Sequence, residues 1–138
     1  MNDEKCVIVI DESLPVGMIA NVAVILGMSL GKERPEVVGD NVLDFNENMH
    51  HGIIQFPVPV LKGNSSILKD LMNKLFSPKF HDLVFVDFSD LAQSCKTYDE
   101  YIQKMKKCLE SDLNYMGVMI CGDKKKINKL TGSLPLLR

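Results

Sequence analysis

The chain has 138 residues, a formal charge of −2 and 46% hydrophobic residues, which suits one domain with a substantial core and leaves little room for two. Such a core needs neither a disulfide framework nor a structural metal. Cys6, Cys95, Cys108 and Cys121 are widely spaced, form no Cys-x-x-Cys pair and follow no leader-like segment, so they read as reduced thiols in a cytoplasmic protein.

The first strand is expected over residues 5–11, where Cys6-Val7-Ile8-Val9-Ile10 runs into Asp11 and Glu12. The 18 uncharged residues 14–31 follow. They predict a wholly buried helix over 15–31, with Pro15 in the opening turn, where its missing N–H has no partner to lose. Pro15, Asn21, Ser29 and three glycines in this stretch argue for a core helix over a membrane span. Residues 39–60 read as a hairpin turning at Asn46-Glu47-Asn48 and returning as a strand over 52–56, before Pro57 and Pro59 stop regular pairing. Next, Ile67, Leu71 and Leu75 form one helical row and Leu68, Met72 and Phe76 the row beside it. Leu83-Val84-Phe85-Val86 is a buried strand. Thr97 and Glu100 match a capping box that opens a helix continued by Tyr101, Ile102, Met105, Cys108 and Leu109. A last strand over 116–121 leads through Gly122 and Asp123 into a short helix that Gly132 stops.

Strands alternating with helices imply a single α/β domain, a sheet covered on both faces and mostly parallel, with antiparallel pairing entering at the Asn46 turn and in the tail after Gly132. The expected core is Val7, Ile8, Val9, Val22, Ile25, Leu26, Ile54, Leu71, Val84, Phe85, Val118 and Ile120. Charge is uneven, −6 over residues 1–95 and +4 over 96–138. That basic third suits an anionic partner only where its lysines share a face. Its aromatics are not interleaved with basic residues, so nucleic acid is not the expected partner.

The opening strand, acidic turn and Gly17-Met18-Ile19-Ala20, with the closing strand and the run from Ile127 to Leu136, resemble the type II peptidyl-tRNA hydrolases. Residues 9–15 (Val-Ile-Asp-Glu-Ser-Leu-Pro), 27–32, 57–63, Asp87-Phe88-Ser89 and 97–101 resemble more closely an uncharacterised family of related fold, catalogued as domain of unknown function two thousand. The resemblance implies a three-layer α/β/α sandwich around a mixed sheet with one antiparallel strand, and self-association, which is common among the hydrolases. It does not carry their mechanism. The position of their essential lysine is Met18, and in their Asp-Ala-Gly-x-Thr-Gln stretch Asp87 stands for the aspartate while residues 88–93 supply no matching threonine.

Strand carboxyl ends are where open α/β sheets gather ligands. Asp11, Glu12, Asp87, Ser89 and Asp90 all fall there, either as acid/base groups or as caps of turns and helices. Asn21, a lone amide in an apolar helix, needs a polar partner. The expected pocket therefore comprises Asp11, Glu12, Asn21, Asp87 and Ser89, with His51 at its rim. His50 and His51 are adjacent and point to opposite faces, and no third ligand has suitable spacing, so no metal site is expected. Lys124, Lys125 and Lys126 crowd positive charge into a helix's first turn, which a bound anion or solvation by water relieves. No nucleophile triad, dinucleotide fingerprint or Walker loop is present, and no cofactor is implied. The expected function is small-molecule binding. The alternatives are a hydrolase of peptidyl-tRNA or a related ester, and a homodimeric interaction module in which some of the eight methionines serve an interface.

Overall fold

The computed structural model describes residues 3–138. Strand β1 (Glu4–Asp11) opens the chain and is buried without interruption from Cys6 to Ile10, because helices cover both faces of the sheet it enters. It is followed by helix α1 (Val16–Glu33), the short pair β2 (Val42–Leu43) and β3 (Met49–His50), strand β4 (Val60–Gly63) and helix α2 (Ser65–Leu75). Strand β5 (Val84–Ser89), helices α3 (Asp90–Ser94) and α4 (Tyr98–Lys106), strand β6 (Tyr115–Asp123) and helix α5 (Lys124–Thr131) complete it.

The main sheet has the order β4-β1-β6-β5. Strands β1, β4 and β5 run one way and β6 runs against them, so only the β1–β4 pairing is parallel and both ladders of β6 are antiparallel. The expectation of mostly parallel pairing is corrected accordingly: the last strand inserts between β1 and β5 instead of joining an edge. Antiparallel pairing also occurs at the two foreseen places, in the β2–β3 hairpin and where Leu136 in the tail meets Leu61 of β4. Residues 52–56 form no regular strand. Their ties are a single bridge between Ile54 and Val38 and bonds such as Gln55 N–H to Val37 O, since Pro57 and Pro59 remove the donors a longer ladder needs.

Two apolar layers result. On one face Cys6, Ile8, Ile10, Met119 and Cys121 pack against Val22, Leu26 and Leu30 of α1. On the other, Val7, Val9, Val118 and Ile120 meet Leu68, Leu71 and Met72 of α2 and Ile127 of α5. Gly117 of β6 lies directly beneath α1, where an added Cβ would stand 2.9 Å from Val22 Cγ1 and 3.3 Å from Leu26 Cδ1. Its bare backbone therefore sets how closely the helix sits on the sheet.

Helix α1 is not wholly buried. Val22, Leu26 and Leu30 are its only fully buried residues, whereas Val16, Val24 and Met28 are 84%, 65% and 81% exposed. One stripe faces the sheet and a second, also apolar, faces outward. Ile25, Ile54, Val84 and Phe85 are half-buried at the margin of the expected core; for Val84 and Phe85 the reason is that β5 ends the sheet.

Candidate functional site

The backbone alternation decides what β5 offers to its surroundings. Ile8 N–H bonds Pro59 O at 3.0 Å and Lys124 N–H bonds Asp3 O at 2.8 Å. In β1, then, Ile8 turns its backbone toward β4, and the residues of odd number turn theirs toward β6. Carried across β6, the same alternation leaves Gly117, Met119 and Cys121 to bond β5. Phe85 and Asp87, opposite Ile120 and Val118, thus direct their N–H and C=O groups away from the sheet.

That unpaired edge borders a cavity of about 690 Å³. One wall is Ile25, Ser29, Lys32 and Glu33 of α1, the floor is Val86, Asp87 and Phe88, and the other wall runs through Ala92 and Cys95 to Tyr98 and Tyr101. The second wall is held by α4's amino-terminal cap, where Thr97 Oγ1 accepts from Glu100 N–H at 3.1 Å. The reciprocal half of the expected capping box is displaced by one residue: the Glu100 carboxylate accepts from Lys96 N–H at 3.2 Å. The short helix α3, which periodicity did not single out, carries the chain from β5 to this wall. Its cap is Ser89, whose side chain accepts from Ala92 N–H.

Asp87 alternates with Val86 and Phe88, which pack in the α1 layer, and so projects from the opposite face of β5. Burial holds its carboxyl above the usual aspartate range, opposed by a bond from its own backbone N–H and reinforced by the charge of Glu110. No other side chain pairs with it among the described residues. The Tyr101 hydroxyl is held up by burial and then by Asp87. Tyr115, nearly inaccessible, donates to Glu110 Oε2 at 2.6 Å, and its hydroxyl is likewise raised, chiefly by burial and this bond. Tyr98 and Tyr101 meet edge to face with ring centroids 5.5 Å apart. Cys95 Sγ donates to Leu91 O at 3.3 Å, and no histidine lines the cavity. Chemically, the site offers one ionisable acid, two phenol rings, the outward-facing backbone carbonyl of Asp87, and a mixed rim of Lys32, Glu33 and Lys96.

The residues expected to form a pocket are not brought together in this cavity. Of the six, Asp87 alone lines the cavity. Asp11 accepts from Ser13 N–H at 2.9 Å and Ser13 Oγ at 2.7 Å, closing a turn, and Glu12 is exposed beside it. Asn21 is exposed, so the demand for a buried partner falls away. Ser89 is buried as a cap. Asp90 Oδ1 accepts from Leu91 N–H and Asn114 N–H, tying α3 to the loop before β6. His51 is exposed away from the cavity, and its neighbour His50 places Nε2 2.9 Å from Asp44 Oδ2. Among the described residues, no three His, Cys, Asp or Glu side chains gather as a metal site would require.

In the first turn of α5, Asp123 Oδ2 accepts from Lys126 N–H at 3.1 Å and Asp82 holds the Lys126 ammonium at 2.8 Å. Lys124 and Lys125 remain exposed. The charge conflict expected at this terminus is thus answered in part by the chain's own acids.

A solved structure from Agrobacterium tumefaciens, described as a protein of unknown function, superposes with a TM-score of 0.86 at 17% identity over 99% of this chain and 98% of that one. At that identity the likeness speaks for the fold alone. No curated protein matches. Residues 4–138 match the model of the protein family of unknown function DUF2000, and with nearly every residue covered the chain belongs to that family.

Proposed function

We propose that the protein binds a small molecule in the cavity beside β5, with Asp87 as its principal polar contact. One observation carries the reading: Asp87, whose largely buried carboxyl has no side-chain partner among the described residues, lines a cavity whose volume falls in the range of small-ligand sites, about 300–1,000 Å³. Desolvating an acid is unfavourable, and a ligand donor would offset that cost. The adjoining Asp87 C=O would add orientation, and Tyr98 and Tyr101 an aromatic wall. A hydrogen-bond donor such as an amine or hydroxyl, attached to an apolar or aromatic body, suits this lining.

Hydrolysis of peptidyl-tRNA is the less favoured reading, because Met18 is half-buried and packs into the layer between α1 and the sheet, where it supplies volume in place of charge. Amide-shift mapping with a panel of small amines, alcohols and carboxylic acids tests the binding reading. Saturable shifts confined to residues 86–88 and 95–101, and lost in Asp87→Leu, would support it. Shifts scattered elsewhere, or peptidyl-tRNA turnover abolished by Asp87→Ala, would replace it.

The outward stripe of α1 favours a second role, self-association. Val16, Ala20, Val24 and Met28 recur every fourth residue on the exposed side, an apolar surface of the kind that marks interfaces. Sedimentation of the native chain and of Met28→Glu tests it: the native chain should sediment as a dimer and the variant as a 15.5 kDa monomer.

A further inference from the structure

Cys6 and Cys121 face each other across the β1–β6 ladder, and neither is exposed to any degree. The alternation set by the Ile8 and Lys124 bonds makes them a non-hydrogen-bonded pair. In such pairs the Cα atoms approach to about 4.5 Å and the side chains lie on the same face at their closest spacing. Disulfides require Cα separations of about 4.4–6.8 Å, a range that such a pair meets without a change of register. Cys95 and Cys108 have no comparable partner on a neighbouring strand.

The surroundings distinguish the two thiols. Arg34, just beyond the end of α1, grips both carboxylate oxygens of Glu4 at 2.8 and 3.0 Å and places Nη1 3.7 Å from Cys121 Sγ. It also donates to Glu36. The hydrogen bond from Cys6 and the Arg34 charge together lower the Cys121 thiol, against burial and the charges of Glu4 and Glu36. The Cys6 thiol is raised by that same bond and by burial. The guanidinium beside Cys121 favours the thiolate there, which makes Cys121 the nucleophile of the pair.

We infer that Cys6 and Cys121 form an oxidisable dithiol that hydrogen peroxide converts to a cross-strand disulfide. The Cys121 thiolate attacks one peroxide oxygen, the O–O bond breaks, and the departing oxygen leaves as hydroxide, which takes up a proton to become water. The Cys6 thiol then attacks the Cys121 sulfenic sulfur, forming the S–S bond and expelling a second water. Both thiols are oxidised, and the peroxide is the two-electron acceptor. Access comes at the end of the ladder. The ladder ends at Glu4–Asp123 and the Lys124 N–H to Asp3 O bond, within three residues of the cysteines, and local opening there is what admits the peroxide.

The test treats the reduced native chain with hydrogen peroxide, blocks remaining thiols in denaturant and maps the peptides. The expected product has lost two hydrogens, retains two of its four thiols, contains a peptide linking residues 6 and 121, and reverts with dithiothreitol. Amide exchange at residues 4–6 and 121–123 should slow in the oxidised form. Four free thiols after treatment, separate sulfinic acids at the two positions, or a link that forms only in unfolded protein would overturn the inference. Because the native sequence is mapped directly, the result does not depend on a variant folding.

Discussion

Exchanging Asp87 for Asn keeps the shape of the side chain and removes its ability to carry charge, which isolates the cost of ionising this position. The carboxyl is largely buried and has no side-chain partner to offset desolvation, so the folded state holds its proton more tightly than the unfolded chain, where the reference value is 3.8. The sign follows: above the raised folded value the ionised group opposes folding, and the penalty fades as pH falls through that value, disappearing below about 4. A carboxylate dried to this degree, softened by its own backbone N–H, costs about 1–2 kcal/mol. A domain of this length has an unfolding entropy of about 0.3 kcal/mol per kelvin, so Asp87→Asn should raise the melting temperature by about 3–7 °C at pH 7. Thermal melts from pH 8 to pH 3.5 should show the gain shrinking toward zero in acid. Because Asp87 helps hold the Tyr101 hydroxyl up, ultraviolet titration of the variant should bring Tyr101 to a lower value. A gain that stays constant with pH would mean that ionisation is not its source. A loss at pH 7 would mean that the carboxylate has a stabilising partner, and the argument for a ligand contact there would fail.

The packing of α1 yields two linked predictions: Gly117→Ala should cost about 1–3 kcal/mol in urea unfolding by pushing against Val22 and Leu26, and Leu26→Ala about 2–5 kcal/mol by opening a cavity. Since Leu26 lies against the Gly117 position, the double variant should lose less than the two costs added together. Thr97→Ala removes the α4 cap and should cost about 1 kcal/mol, with faster amide exchange at residues 98–101 along the cavity wall.

Local signals carried much of the fold. Rows at helical spacing located α2, the Thr97 pattern located the start of α4, and Gly132 marked the end of α5, because each depends on residues within a turn or two of one another. The direction of β6 did not follow from its own apolar run, since burial on both faces looks the same in parallel and antiparallel ladders; only the family resemblance implied a lone antiparallel strand. Helix α1 misled for a related reason. Its outward stripe, Val16 to Met28, is as apolar as its inward one, and composition records hydrophobicity without recording which side meets protein. At the site, Asp87 was legible as a strand-end acid, but its companions were not. Asp11, Ser89 and Asp90 share that strand-end position and serve turns and caps, whereas the cavity's other walls come from Ile25 to Glu33 and Cys95 to Tyr101, brought together only when β5 takes the outer place in the sheet.

The central position of β6 bears on how the chain folds. It is the last of the sheet's strands in sequence, yet it supplies the ladders on which both β1 and β5 depend, and its pairing of Glu4 with Asp123 joins residues separated by almost the whole chain. During synthesis β1 can find β4 alone, and β5 has no strand to join until residue 123 has emerged. Contacts of such long range slow the approach to the native state, because loop closure is unfavourable before any ladder forms. Mutations in β6 should therefore slow refolding more than equally destabilising ones in α2 or α4, and the interval before β6 docks is when the exposed edges of β1 and β5 are most prone to aggregation.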